Sequence, residues 1–106
     1  MNNRIAQLND ALRTNLCGGR VCLTRGIAAL PPSVQESIVA RVRAFDDFTP
    51  DNDPYGEHDF GSFQHRAWTI FWKIDYYDLL LKYGSDDPSD PARTRRVLTV
   101  MLADEY

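Results

Sequence analysis

The residues best suited to chemistry lie in one acidic stretch, Asp46-Asp47-Phe48-Thr49-Pro50-Asp51-Asn52-Asp53-Pro54-Tyr55-Gly56-Glu57-His58-Asp59. Asp51, Asp53, Glu57 and Asp59 offer hard carboxylate oxygens at short steps, the donor type that suits calcium or magnesium. An EF-hand counted from Asp51 needs an oxygen ligand at its fifth position, glycine at its sixth and glutamate at its twelfth. The chain has Tyr55, Gly56 and Ser62 there, so only the glycine fits. Asx-turns and caps that satisfy loop amides account for these acids more economically, and no metal is assigned. His58 between Glu57 and Asp59, with His65 further on, is the material of an acid–base or transition-metal cluster. Yet the chain contains no His-x-x-x-His pair, Gly-x-Ser-x-Gly elbow, phosphate loop or zinc-spaced cysteine set. Cys17 beside Gly18-Gly19 reads as a small buried thiol rather than a nucleophile. An enzyme is therefore the less favoured reading, with no catalytic residue and no cofactor assigned.

Charge is sharply partitioned. The net charge of −3 conceals +4 over residues 1–45, −8 over 46–90 and +1 over 91–106. A segment at −8 attracts basic partners and repels a phosphate backbone, so direct nucleic-acid binding is disfavoured. The acids Asp46, Asp47, Asp51, Asp53, Glu57 and Asp59, with Tyr55 among them, form the first candidate partner-binding group. Asp86 and Asp87, in the second acidic loop Gly84–Pro91, extend it.

The elements that must position these loops follow from periodicity. One hundred and six residues with 43% hydrophobic and 11% aromatic content suit one domain, 1–106, with an aromatic-rich core. Ile5, Leu8, Leu12 and Leu16 predict a first helix over 3–16, capped by Asn2 or Asn3 and stopped by Gly18-Gly19. Arg20–Thr24 reads as a strand. Pro31-Pro32 opens a helix through residue 45 with Val34, Ile38 and Val42 on one face. After the acidic loop, Phe60–Gln64 and Trp68–Tyr76 read as strands, the second with strict alternation. Its outer face carries Phe71, Lys73, Asp75 and Tyr77, a mixture of aromatic and charged groups typical of interface patches, and makes the second candidate contact surface. Residues 78–83 fit either a strand extension or a helical turn. Asp90-Pro91 favours a closing helix containing Val97, Leu98, Met101 and Leu102, against a competing buried strand over 97–102. The fold class expected is α+β, with two or three helices packed on a short antiparallel sheet.

The motifs Phe45–Thr49, Asp51–Gly61 and Phe71–Asp78 resemble those of a bacterial domain-of-unknown-function family. The resemblance runs from Arg4 to Ala103. It implies a small stand-alone protein, often alphaproteobacterial and borne on plasmids or other mobile elements, and it brings no catalytic residues. Gln64-His65-Arg66-Ala67 departs from it, since the resemblance implies a longer, glycine-containing hairpin turn. With no secretory leader, no apolar run long enough to span a membrane and two cysteines read as free thiols, the expected setting is the cytoplasm. The function expected is non-enzymatic binding of a host protein with a basic surface. An anti-defence inhibitor, such as an anti-CRISPR whose acidic loops imitate phosphate charge, is its concrete form. A small metal-dependent enzyme using Asp51–Asp59 and a DNA-binding regulator using the arginine-rich ends are the alternatives.

Overall fold

The computed structural model describes residues 3–106. Helix α1 spans Arg4–Asn15, strand β1 Arg20–Leu23, the single turn α2 Arg25–Ala28 and helix α3 Pro32–Ala44. Strands β2 (Phe60–His65), β3 (Trp68–Tyr77) and β4 (Arg95–Leu102) follow, with a 3-10 turn at Ala103–Glu105. The sheet order is β1-β4-β3-β2. β2 and β3 are antiparallel as expected, β4 pairs antiparallel with β3, and β1 joins β4 in parallel, making the sheet mixed rather than purely antiparallel. The fold class is α+β, in one domain.

Helices cover one face of the sheet. Val34, Ile38 and Val42 of α3 are buried on Ile70, Trp72 and Ile74 of β3 and Leu98 and Val100 of β4. Alternation placed the β3 residues correctly, because every second side chain of a pleated strand meets the same layer. α1 is rotated from its apolar stripe: Ala6, Asn9, Leu12 and Arg13 turn inward, while Ile5, Leu8 and Leu16 sit at the margin. Two polar side chains thus occupy an inner helix face, and each has a structural use described below. Asn3 precedes α1 without a side-chain cap bond; Asn2 lies outside the described residues. The stop is Leu16 in the left-handed region, its amide bonded to the Leu12 carbonyl.

Residues 95–102 form a strand, not the closing helix favoured by Asp90-Pro91. Asp90 instead closes a local turn, its carboxylate accepting from the Ala92 amide. Arg96, Leu98 and Val100 point to the helices, and central position between β1 and β3 satisfies both edges of the strand. Arg95 and Arg96 therefore lie on opposite faces. Residues 78–83 are neither strand nor helix: the Asp78 carboxylate accepts from the Leu80 and Lys82 amides, and a bridge pairs Tyr77 with Gly84. The β2–β3 connection is the two-residue turn Arg66-Ala67, with Arg66 at φ 56° supplying the left-handed geometry that glycine usually provides. Cys17 is exposed rather than buried, and both cysteines are free. Among the described residues no helix is long and apolar enough to cross a membrane.

Gly61 sits where β2 crosses the Trp72 indole. A Cβ there would lie 2.4 Å from Trp72 Nε1 and 2.9 Å from Phe45 Cε1. Gly61→Ala is expected to lower unfolding free energy by about 1–3 kcal/mol through overpacking. Gly84→Ala, whose Cβ meets nothing nearer than 3.9 Å, is the matched control. Urea denaturation of the two variants separates them.

Candidate functional site

Both acidic loops are anchored to one buried polar network, and its centre is Asn9. The Asn9 side chain, 0% exposed, donates through Nδ2 to the Glu57 carbonyl (3.0 Å) and to the Tyr76 hydroxyl (2.8 Å). Its Oδ1 accepts from Arg96 Nε at 2.8 Å. The Tyr76 hydroxyl passes its own proton toward Glu57 Oε1 at 2.7 Å. Arg96 Nη2 donates to the Pro88 carbonyl in the second loop. One amide therefore joins α1 to β3, β4 and the first loop, and through Arg96 to the second. Burial and the bond to Glu57 raise the Tyr76 phenol well above its ordinary value, so it stays protonated as the donor this network needs. Burial lowers the Arg96 guanidinium from its ordinary value, and the group remains a cation.

The first loop is braced a second time at Arg13, whose Nη1 donates to the Val42 and Arg43 carbonyls (3.0 and 3.1 Å) and Nη2 to Asp10. A cation on the last carbonyls of α3 fixes the point where the loop leaves that helix. Phe48 then packs edge-on against Phe45 and Trp72 and stacks on His58 at 3.9 Å between ring centroids. His58 Nδ1 lies 3.0 Å from Asp10 Oδ1.

Within the loop the acids divide into two kinds. Asp53, whose side chain is 6% exposed, accepts from the Glu57 and His58 amides. Glu57 serves Tyr76, and Asp59 is half-buried. Asp53 and Glu57 are thus engaged within the protein, and among the described residues no three His, Cys, Asp or Glu side chains converge as a metal would require. Asp46, Asp47 and Asp51 face solvent and make no ion pair or side-chain hydrogen bond among the described residues; Tyr55 is 84% exposed beside them. In the second loop Asp86 is exposed, 4.0 Å from Arg93, while Asp87 caps Ser89. Phe71, Lys73, Asp75 and Tyr77 lie half-buried on the sheet face that carries no helix. There Lys73 and Asp75 neutralise each other at 2.8 Å, and Phe71 packs edge-on with Phe60 and Tyr106.

Sequence reasoning missed Asn9 and Arg96 as the anchors. Their signal was a polar residue three positions from Ala6 on the inner turn of a helix, and an arginine in phase with Leu98 and Val100. It also missed the apolar turn Leu79–Leu81, where Leu80 is 74% exposed.

Two predictions test the anchor. Asn9→Leu leaves Arg96 Nε and the Glu57 carbonyl without partners and is expected to cost about 3 kcal/mol of stability, read by urea denaturation. Burial, then Glu57, with smaller contributions from Asp53 and Asp75, raises the Asp59 carboxyl above its ordinary 3.8. The folded state thus holds this proton more tightly than the unfolded chain, and Asp59 opposes folding increasingly as pH climbs through the raised value. Asp59→Asn is expected to raise the thermal midpoint at neutral pH and to leave it unchanged below the ordinary carboxylate range.

The family model described as "Protein of unknown function (DUF3768)" matches residues 23–105. No curated protein and no solved structure matches the chain. The matched span holds both acidic loops, α3 and strands β2 to β4, whereas α1 and nearly all of β1 precede it. With more than half of its length matched, the chain belongs to the DUF3768 family of proteins of unknown function.

Proposed function

We propose that this protein is a non-enzymatic binding protein whose two acidic loops occlude a basic surface of a host protein. The observation that carries this reading is the division among the acids. Among the described residues the carboxylates of Asp46, Asp47 and Asp51 stand in solvent without a hydrogen-bond or ion-pair partner, and that of Asp86 is exposed with only Arg93 at 4.0 Å, on loops held by a network that ends at Asn9 and Arg96. Like charges held close together repel one another, and a cationic partner relieves that repulsion. Because the loops are internally bonded, docking does not have to pay for ordering them. The concrete form of the proposal is an accessory protein of a bacterial mobile element, acting in the cytoplasm. Its target is a nucleic-acid-handling defence complex such as a CRISPR effector, and the carboxylates take the place of phosphates in the basic groove. The uncovered sheet face with Phe71, Lys73, Asp75 and Tyr77 is the secondary contact surface.

The test is affinity capture from bacterial lysate with mass spectrometry, comparing the protein with the Asp46/Asp47/Asp51/Asp86→Asn variant. A basic protein retained by the first, displaced by heparin and reduced about tenfold or more by the variant is the expected result. Circular dichroism confirms that the variant keeps its fold. Equal capture by both forms, or capture insensitive to heparin, refutes the acidic-loop mechanism.

A further inference from the structure

A second surface has the opposite charge and a different shape. Where β1 and β4 begin, an open cleft of about 750 Å³ lies among residues 18–20, Leu81, Pro91 and residues 94–97. Its volume is in the range of small-molecule sites. Three arginines line it, Arg20 and Arg95 exposed and Arg96 buried. Arg20 pairs with Val97 in the parallel ladder, and Arg95 stands two residues before Val97 on the same face. Neither guanidinium has a carboxylate or hydrogen-bond partner among the described residues, although the chain carries fifteen acids. Arg96 adds a third positive charge behind them, satisfied by the neutral acceptors Asn9 and Pro88 rather than by a carboxylate. Leu81, Pro91 and Val97 give the cleft an apolar wall, and Gly18, Gly19 and Thr94 complete the lining.

This arrangement arises because the ladder between β1 and β4 brings Arg20 and Arg95, from the two basic blocks of the chain, to one sheet face, where Asp75, opposite Val97, is already paired with Lys73. Two arginines that line one cleft without carboxylate partners among the described residues repel one another, and an anion bound there relieves that repulsion. Each fork can grip oxygens bidentately, so together they suit a dianionic phosphate better than a monoanionic carboxylate. The cleft is also larger than a bare phosphate needs, and an apolar wall next to planar guanidinium faces accepts a flat ring. We infer that the cleft at the start of β1 and β4 binds a small phosphate ester with a planar apolar body, the phosphate on Arg20 and Arg95 and the ring against Leu81, Pro91 and Val97. The acidic loops take no part in it, so it stands or falls independently of the proposed partner binding.

Calorimetric titration of the full chain with adenosine monophosphate and phenyl phosphate tests the site, with adenosine and inorganic phosphate as the two halves of the ligand. Both esters are expected to bind about tenfold tighter than either half. Arg20→Gln and Arg95→Gln are each expected to weaken the esters about fivefold or more, whereas Arg66→Gln, on the distant hairpin turn, leaves them unchanged. Adenosine binding as tightly as its monophosphate removes the guanidinium role, and inorganic phosphate binding as tightly as the esters removes the apolar wall. An equal loss in Arg66→Gln, or no binding of either ester at millimolar concentration, overturns the site altogether.

Discussion

Burying the Arg96 guanidinium constrains the rest of this molecule. A cation at 3% exposure costs several kcal/mol of lost hydration unless the protein supplies acceptors. Arginine does not escape by losing its proton, so the acceptors must be built. Asn9 supplies one from α1 and Pro88 another from the second loop, and the Tyr76 ring lies 5.2 Å from the guanidinium carbon. Each supplier is thereby placed. α1 must present Asn9 inward, which rotates its apolar stripe to the margin. The second loop must fold back toward the strand it precedes. Asn9, with its oxygen committed to Arg96, must point its amide protons at Glu57 and Tyr76, and so holds the end of the first loop.

The same economy explains why the acids are of two kinds. A loop of fourteen residues with two prolines and few apolar side chains cannot order itself by burial. Asp53 replaces missing backbone partners for the Glu57 and His58 amides, Asn52 does so for Thr49 and Asp47, and Phe48 inserts one aromatic ring into the core edge. The acids so used are withdrawn from solvent. The carboxylates of Asp46, Asp47 and Asp51 are left outside, with no hydrogen bond or ion pair among the described residues, and their charge faces solvent.

Helix α3 and strand β3 were legible because their apolar residues recur with one unambiguous period, and the physical layer each faces is single. Strand β4 was not. Val97, Leu98, Val100, Met101 and Leu102 satisfy both a helical stripe and a doubly buried strand, and Asp90-Pro91 imitates a helix start. The deciding term is non-local: β4 fills the slot between β1 and β3, and no local propensity reports that. The acidic loop was legible as a loop, and its exposed acids as candidates. The withdrawal of Glu57 was not, because it depends on Asn9 and Tyr76 arriving from elsewhere in the chain. Arg20 and Arg95 were visible only as net charge in separate blocks. Their adjacency is a product of parallel pairing between strands more than seventy residues apart.

The basic cleft and the second acidic loop are neighbours, since Thr94 and Arg96 line the one and bond the Asp87 and Pro88 carbonyls of the other. Proximity alone does not couple two sites. Coupling requires an element with two arrangements that the two ligands prefer differently. Arg96 is held at both ends of its guanidinium, by Asn9 and by Pro88, and Thr94 is held by Ser85 and Asp87. A residue bonded on both sides within a packed layer has one arrangement, and a shift sufficient to release the loop would first expose the buried cation. The two surfaces therefore share one support: on the proposed readings an anion bound in the cleft would change the electrostatic potential at the loop, weakened by intervening solvent, without a second arrangement of that support.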